Sequence, residues 1–215
     1  MIKPYFESPN GKLYCGDCLD ILPELDAPEL IITDPPYGMD YQSSRRIDKS
    51  KRKDKIQGDD KYPLWIFDLK PSIAMFVFCR WDTLKEIPNP KSFIVWDKMT
   101  HSMGDLNHEY GRQWEGIAFY PGKDHAFTKR PADIIRCPKV PAEKLLHPNE
   151  KPSGVFYPIL KTHSGVVLDS FFGSGQVGLA CERINRKWIG IEISEAYAEI
   201  AAKRIQHENQ QLKLF

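Results

Sequence analysis

Residues 165–193, GVVLDSFFGSGQVGLACERINRKWIGIEI, decide the fold class. Gly165–Asp169 is an apolar run of strand length that stops at an acid, and 171–175 is a glycine-broken turn. From Gln176 to Ile184 the apolar residues Val177, Leu179, Ala180 and Ile184 recur at helical spacing. Trp188–Ile193 is a second apolar strand, with the acid Glu192 near its end. Ser194 then suits the cap of a last helix whose Tyr197, Ile200, Ala201 and Ile205 share one face. A β-α-β-α succession implies a parallel sheet with helices on both faces. The turn itself, Gly173-Ser174-Gly175-Gln176-Val177-Gly178, fits GxGxxG between strand and helix, and Glu192 follows Gly175 by 17 residues. Glycines let backbone approach a nucleotide-like ligand and the acid can take both ribose hydroxyls. This pattern alone fits a nicotinamide dinucleotide as well as S-adenosylmethionine.

Toward the N-terminus, Lys12–Cys15 and Glu29–Thr33 read as strands, with a short helix over Leu19–Leu25 between them. Ile73–Cys79, Phe93–Trp96 and Gly116–Tyr120 are further strand candidates. The expected fold is a Rossmann-like α/β domain occupying 1–215, mostly parallel, with a basic loop at 43–60 and an insertion at about 98–146. With 41% hydrophobic residues the chain suits one core rather than two. Five cysteines, an odd number, argue for reduced thiols; Cys15 and Cys18 form a lone CxxC with no second ligand pair, so no metal is expected. Neither a leader nor an apolar run of membrane-spanning length is visible, and the expectation is a soluble, cytoplasmic protein. A net charge of +1 excludes a globally basic protein, so nucleic-acid contact must be local. Arg45, Arg46, Lys49, Lys51, Arg52, Lys53 and Lys55, against Asp48 and Asp54, supply one such patch.

Thr33-Asp34-Pro35-Pro36-Tyr37-Gly38 separates the two ligand readings, because it stands where a parallel strand ends. Two prolines fix φ and remove N–H donors, leaving a rigid backbone that presents carbonyls. An exocyclic amino group offers two N–H donors, one for the Asp34 carboxylate and one for the Pro35 carbonyl. As the amine turns tetrahedral its lone pair becomes free to meet a sulfonium methyl, while Tyr37 offers a face on which the base stacks. A dehydrogenase has no use for these groups.

Taken together, these residues resemble the DNA amino-methyltransferases of the permuted β group, in which DPPY precedes the glycine motif. His147-Pro148-Asn149-Glu150-Lys151-Pro152 resembles that family's HPxxKP segment, and the stretch from Tyr14 to Leu22, with Asp17 and Cys18, resembles its adenine-holding segment. The resemblance implies Asp17 and Cys18 at the adenine of S-adenosylmethionine, Glu192 at its ribose, and Phe171, Gly173 and Gly175 around its methionine portion. Asp34, Asp169, Phe172 and Ser174 complete the expected cofactor site. Lys151 would sit near the methionine carboxylate, or hold Glu150 or a backbone carbonyl. The chain departs from the family at Asn149 and Glu150, often Thr and Gln, and at Phe172, often Met or Pro.

The implied reaction is methylation of adenine N6 in double-stranded DNA, with the base flipped out and Asp34, Pro35, Pro36 and Tyr37 as the catalytic set. Cytosine N4 is the alternative; there Ser usually precedes PPY, so Asp34 favours adenine. Cytosine C5 chemistry needs a Pro-Cys nucleophile, and Cys137-Pro138 has the reverse order. Protein-glutamine and RNA methylases usually carry Asn-Pro-Pro-Tyr in unpermuted order. A silent cofactor- or DNA-binding module would not need an intact DPPY. The basic loop is expected on phosphates, and His108, Arg112, Gln113, Lys129 and Arg130 on base edges. No nuclease motif is visible, so a modification enzyme, solitary or partnered with a separate restriction endonuclease, monomeric or homodimeric, of bacterial or phage origin, is expected.

Overall fold

The computed structural model describes residues 2–38, 61–101, 107–141 and 150–212. The basic run from Arg45 to Lys55, together with His147, Pro148 and Asn149, lies outside the described residues. Among the described residues nine strands form one sheet: β1 (Phe6–Glu7), β2 (Gly11–Cys15), β3 (Leu30–Thr33), β4 (Ala74–Cys79), β5 (Ser92–Asp97), β6 (Trp114–Pro121), β7 (Ile134–Arg136), β8 (Val167–Asp169) and β9 (Trp188–Glu192). Their spatial order is β1-β2-β9-β8-β3-β4-β6-β5-β7. From β2 to β4 all neighbours are parallel; β6 runs against β4 and β5, β7 runs with β5, and β1 runs against β2.

Both sheet faces are covered, which is why the central strands read as continuous apolar runs. Along β4 all six residues are buried, and they alternate between two clusters. Phe76 and Phe78 face α2 (Tyr157–Thr162), α3 (Gln176–Arg183) and α4 (Glu195–Leu212) through Ile159, Val177 and Ala201. Met75, Val77 and Cys79 face α1 (Cys18–Ile21) and the 3-10 turn Leu64–Asp68 through Ile21 and Ile66. Near β9 the Phe172 ring stacks on Trp188, 5.1 Å between centroids, and covers Gly190, where an added Cβ would stand 2.4 Å from it.

Sequence and structure differ at five places. The helix expected over Leu19–Leu25 is α1 followed by a 3-10 turn at Leu22–Glu24, because Pro23 has no N–H to continue an α-helical ladder. The strands β1 and β7 and the helix α2 were not anticipated; two or three residues, or a helix opening on proline at Pro158, leave too little periodicity to read. Within the expected insertion at 98–146, β6 and β7 belong to the central sheet. After β3 the chain steps to β4 on one side, and after β8 to β9 on the other. The β3–β8 boundary is therefore the topological switch point, where open parallel sheets bind ligands beyond their carboxyl ends.

Candidate active site

Thr33 ends β3 and Asp169 ends β8, and the Thr33 hydroxyl donates to Asp169 Oδ1 at 3.0 Å across the switch point. The same carboxylate oxygen accepts the Phe171 N–H at 3.1 Å, so Asp169 shapes the start of the glycine turn. Its burial pushes the carboxyl up to about 7, with the hydrogen bonds from Phe171 and Thr33 pulling the other way. Glu192 ends β9 and accepts the Gly173 N–H at 2.6 Å on one oxygen and the Ser194 N–H at 2.9 Å on the other. Burial raises its pKa against those same backbone bonds. Gly173 and Gly175 take positive φ, 53° and 81°, where a side chain would be strained. Next door, Gly16 N–H donates to the Glu192 carbonyl at 2.9 Å, bringing Asp17 and Cys18 to the end of β9.

On the other side of the switch point, both oxygens of Asp34 are engaged. Tyr37 Oη donates to Oδ1 at 2.7 Å and Lys151 Nζ to Oδ2 at 2.6 Å. Lys151 is almost wholly buried, 6% exposed, and also lies 3.1 Å from Glu115 Oε2 and within 6 Å of the Tyr37 and Phe78 ring centres. Lys98 Nζ reaches the other oxygen of Glu115 at 3.0 Å. Burial pushes the Asp34 carboxyl up and the Lys151 charge, pulling down, does not fully offset it; Glu115 adds to the rise. Burial disfavours the Glu115 charge too, but Lys151 and Lys98 together outweigh it and hold this carboxyl below its usual range. Lys151 stays charged because its two carboxylates outweigh the cost of burying it. Beside Tyr37 a cavity of about 570 Å³ opens, bounded also by Tyr62, Leu64 and Thr83.

Several expectations change. Where a bond from Lys151 to Glu150 or a backbone carbonyl was one expectation, the ammonium is bonded to Asp34, and Glu150 is held by Gln176 and by Arg204 at 2.8 Å. The Phe172 side chain packs into the core, so only its backbone is available at the turn. Phe171 stays half-buried at the sheet edge, its ring 5.9 Å from Trp65. Asp17 caps α1 by accepting the Leu19 N–H at 2.9 Å, and its side chain keeps further acceptor capacity. Cys15 and Cys18 are free thiols; burial, then Asp17, pushes the Cys18 thiol up to about 12. Among proposed recognition residues, His108, Arg112 and Gln113 precede β6 at the carboxyl edge of β5, where Gln113 donates to Asp97 at 2.9 Å. Lys129 and Arg130 follow β6, whose antiparallel end lies at the opposite edge, where Gly122 N–H meets the Ile73 carbonyl. Glu115, Lys98 and Ser170 were not anticipated. A lone carboxylate in the apolar strand WEGIAFYP was the available signal for Glu115.

The donor set suits S-adenosylmethionine. Glu192 keeps lone pairs for two hydroxyls, and the glycine turn presents backbone. Ser170 Oγ, between Asp169 and the turn, is buried without a hydrogen-bond partner among the described residues, as a group awaiting a polar ligand atom would be. A DNA methylase family model, that of the N6 and N4 enzymes, matches residues 128–203. Over that segment the chain is similar to the DNA amino-methyltransferases. It is 28% identical to the type II methyltransferase M.BamHI of Bacillus amyloliquefaciens over 99% of its own length, and spans 61% of that relative. The M1.HpyAVI complex with SAM superposes with a TM-score of 0.65 at 24% identity, covering 90% of this chain and 99% of the other. PvuII DNA methyltransferase, a cytosine-N4-specific enzyme, superposes at 0.67 with 16% identity over 97% and 94%. The fold is the Rossmann-like one of those solved DNA methyltransferases, one of which holds SAM, and S-adenosylmethionine is the cofactor that the match and the site support.

Proposed function

We propose that the protein methylates the N6 amino group of adenine in double-stranded DNA, acting on a base flipped out of the helix. The observation that carries this reading is the position of Asp34 at the switch point, one strand away from the glycine turn and with its carboxylate beside the Tyr37 ring. S-adenosylmethionine supplies the methyl group. Glu192 takes the ribose hydroxyls, Asp17 and Cys18 border the adenine, and Phe171, Gly173, Ser174 and Gly175 line the methionine portion, with Asp169 holding the turn. The target amine donates one N–H to Asp34 and one to the Pro35 carbonyl, which Pro36 keeps rigid. Asp34 would hold the amine nitrogen toward the methyl that the bound cofactor would supply, and would take the surplus proton that the methylated nitrogen sheds. Tyr37 stacks on the base, with the adjoining cavity as its place of entry. The phosphates flanking the target fall to the basic run at 45–55, and base edges to the connection carrying His108 and Arg112.

Cytosine N4 presents the same two donors, and it is the amine for which the PvuII enzyme is specific. Asp in place of Ser before Pro-Pro-Tyr supports adenine here. The test is incubation of the purified protein with tritiated S-adenosylmethionine and mixed-sequence duplex DNA, followed by digestion to nucleosides and mass spectrometry. N6-methyladenine is the expected product. N4-methylcytosine would replace the substrate in this proposal, and no labelled nucleoside would refute it.

A further inference from the structure

Four charges alternate in sign along the carboxyl edge of the sheet: Asp34 after β3, Lys151, Glu115 in β6 and Lys98 after β5. Lys151 is shared. It stands 2.6 Å from Asp34 Oδ2 and 3.1 Å from Glu115 Oε2, and that Glu115 oxygen is buried without a well-directed hydrogen bond among the described residues. Glu115 is held in register by the pairing of β6 with β5, opposite Trp96, and Lys98 is drawn to the same region by its N–H bond to the Gln113 carbonyl at 2.9 Å. Withdrawing two carboxylates and two ammonium groups from water costs more than apolar residues would, so stability does not account for the arrangement. Its effect falls on the carboxylate at its end. Lys151 given wholly to Asp34 would make that group a poor proton acceptor, and given wholly to Glu115 would leave it buried and protonated.

We propose that Glu115 and Lys98 are positioning residues for the methyl transfer: they hold Lys151 between two carboxylates and so set how readily Asp34 accepts the target amine and its proton. The proposal rests on the reading of Asp34 given above. Among the described residues six groups face Asp34: Lys151, Glu115 from β6, Tyr37 from its own turn, Asp169 from β8, Cys79 from β4 and Tyr62. Burial keeps the Cys79 thiol, at about 12, and both tyrosines neutral below pH 9, whereas Asp169 titrates near 7 and needs its own resonance to be told apart.

The experiment pairs carboxyl carbon-13 NMR titration, with the Asp34 signal assigned by its loss in Asp34→Asn, with the pH profile of single-turnover methyl transfer to DNA. In Glu115→Gln the anion that raises the Asp34 pKa is gone, so the Asp34 midpoint and the acid limb of the profile should both fall by about one pH unit. In Lys98→Met, Glu115 keeps only Lys151 and draws it away, so both should rise by about one unit. Lys98→Arg, which keeps the charge, should restore the wild-type limb. A general loosening would move both variants the same way. Shifts of equal sign, or none, in variants of an enzyme that transfers methyl groups would overturn the proposal alone. Wild-type protein that transfers none would overturn the functional reading beneath it.

Discussion

The two sides of the switch point are built on different scales. On the β8–β9 side, Glu192 reaches the Gly173 N–H across 19 residues of sequence, and nearly every bond is to backbone. On the β3–β4 side, Asp34 meets Lys151 across 117 residues, and the bonds join side chain to side chain. Backbone donors in a glycine turn have fixed positions and titrate nowhere near neutrality, which suits a site that must hold one cofactor in one pose. Shared charges shift with protonation and with what enters, which suits the site where a bond is made.

Substitutions on each side should separate these behaviours. The largest effect belongs to Asp34→Ala, which should lower methyl transfer by about a hundredfold or more while leaving cofactor binding nearly unchanged by calorimetry. Equal losses in both assays would dissolve the division between the sides. Gly175→Ala should do the reverse: φ of 81° and a Cβ 2.9 Å from the Ala201 Cβ should cost roughly 2 kcal/mol in denaturant unfolding and weaken cofactor affinity. Unchanged affinity there would place the cofactor away from the turn. The smallest effect is that of Tyr37→Phe. The ring is kept, but the 2.7 Å bond to Asp34 is lost, so a roughly fivefold to tenfold fall in transfer rate is expected, against a larger one for Tyr37→Ala. A rate for Phe as low as for Ala would assign the role of Tyr37 to its hydroxyl.

Legibility in the sequence follows the same division. The β8-turn-α3-β9 unit was readable because strand, glycines, helix and acid are consecutive, and local backbone demands dictate residue types. Asp34 and Tyr37 were readable because the prolines between them have few other uses at a strand end. Glu115 and Lys98 were not. Their meaning depends on β6 entering the sheet between β4 and β5, a placement no short window of residues contains. Lys151 stands out in its motif, yet its partner differs from the expected ones, since nothing nearby in sequence says that its ammonium crosses to the end of β3. The separation of Lys129 and Arg130 from the reacting edge likewise comes from the reversed direction of β6.

The hydrogen bond from Thr33 to Asp169 works as a rivet between neighbouring planks. Parallel strands lie about 4.8 Å apart, a spacing fixed by the backbone ladder and indifferent to side chains. A donor and an acceptor seated, as proposed, above the ends of β8 and β3 would inherit their separation from the lattice of the sheet itself, with Thr33 and Asp169 bonded across the seam between those strands. In the proposed reaction, then, the gauge between methyl and amine is cut into the scaffold.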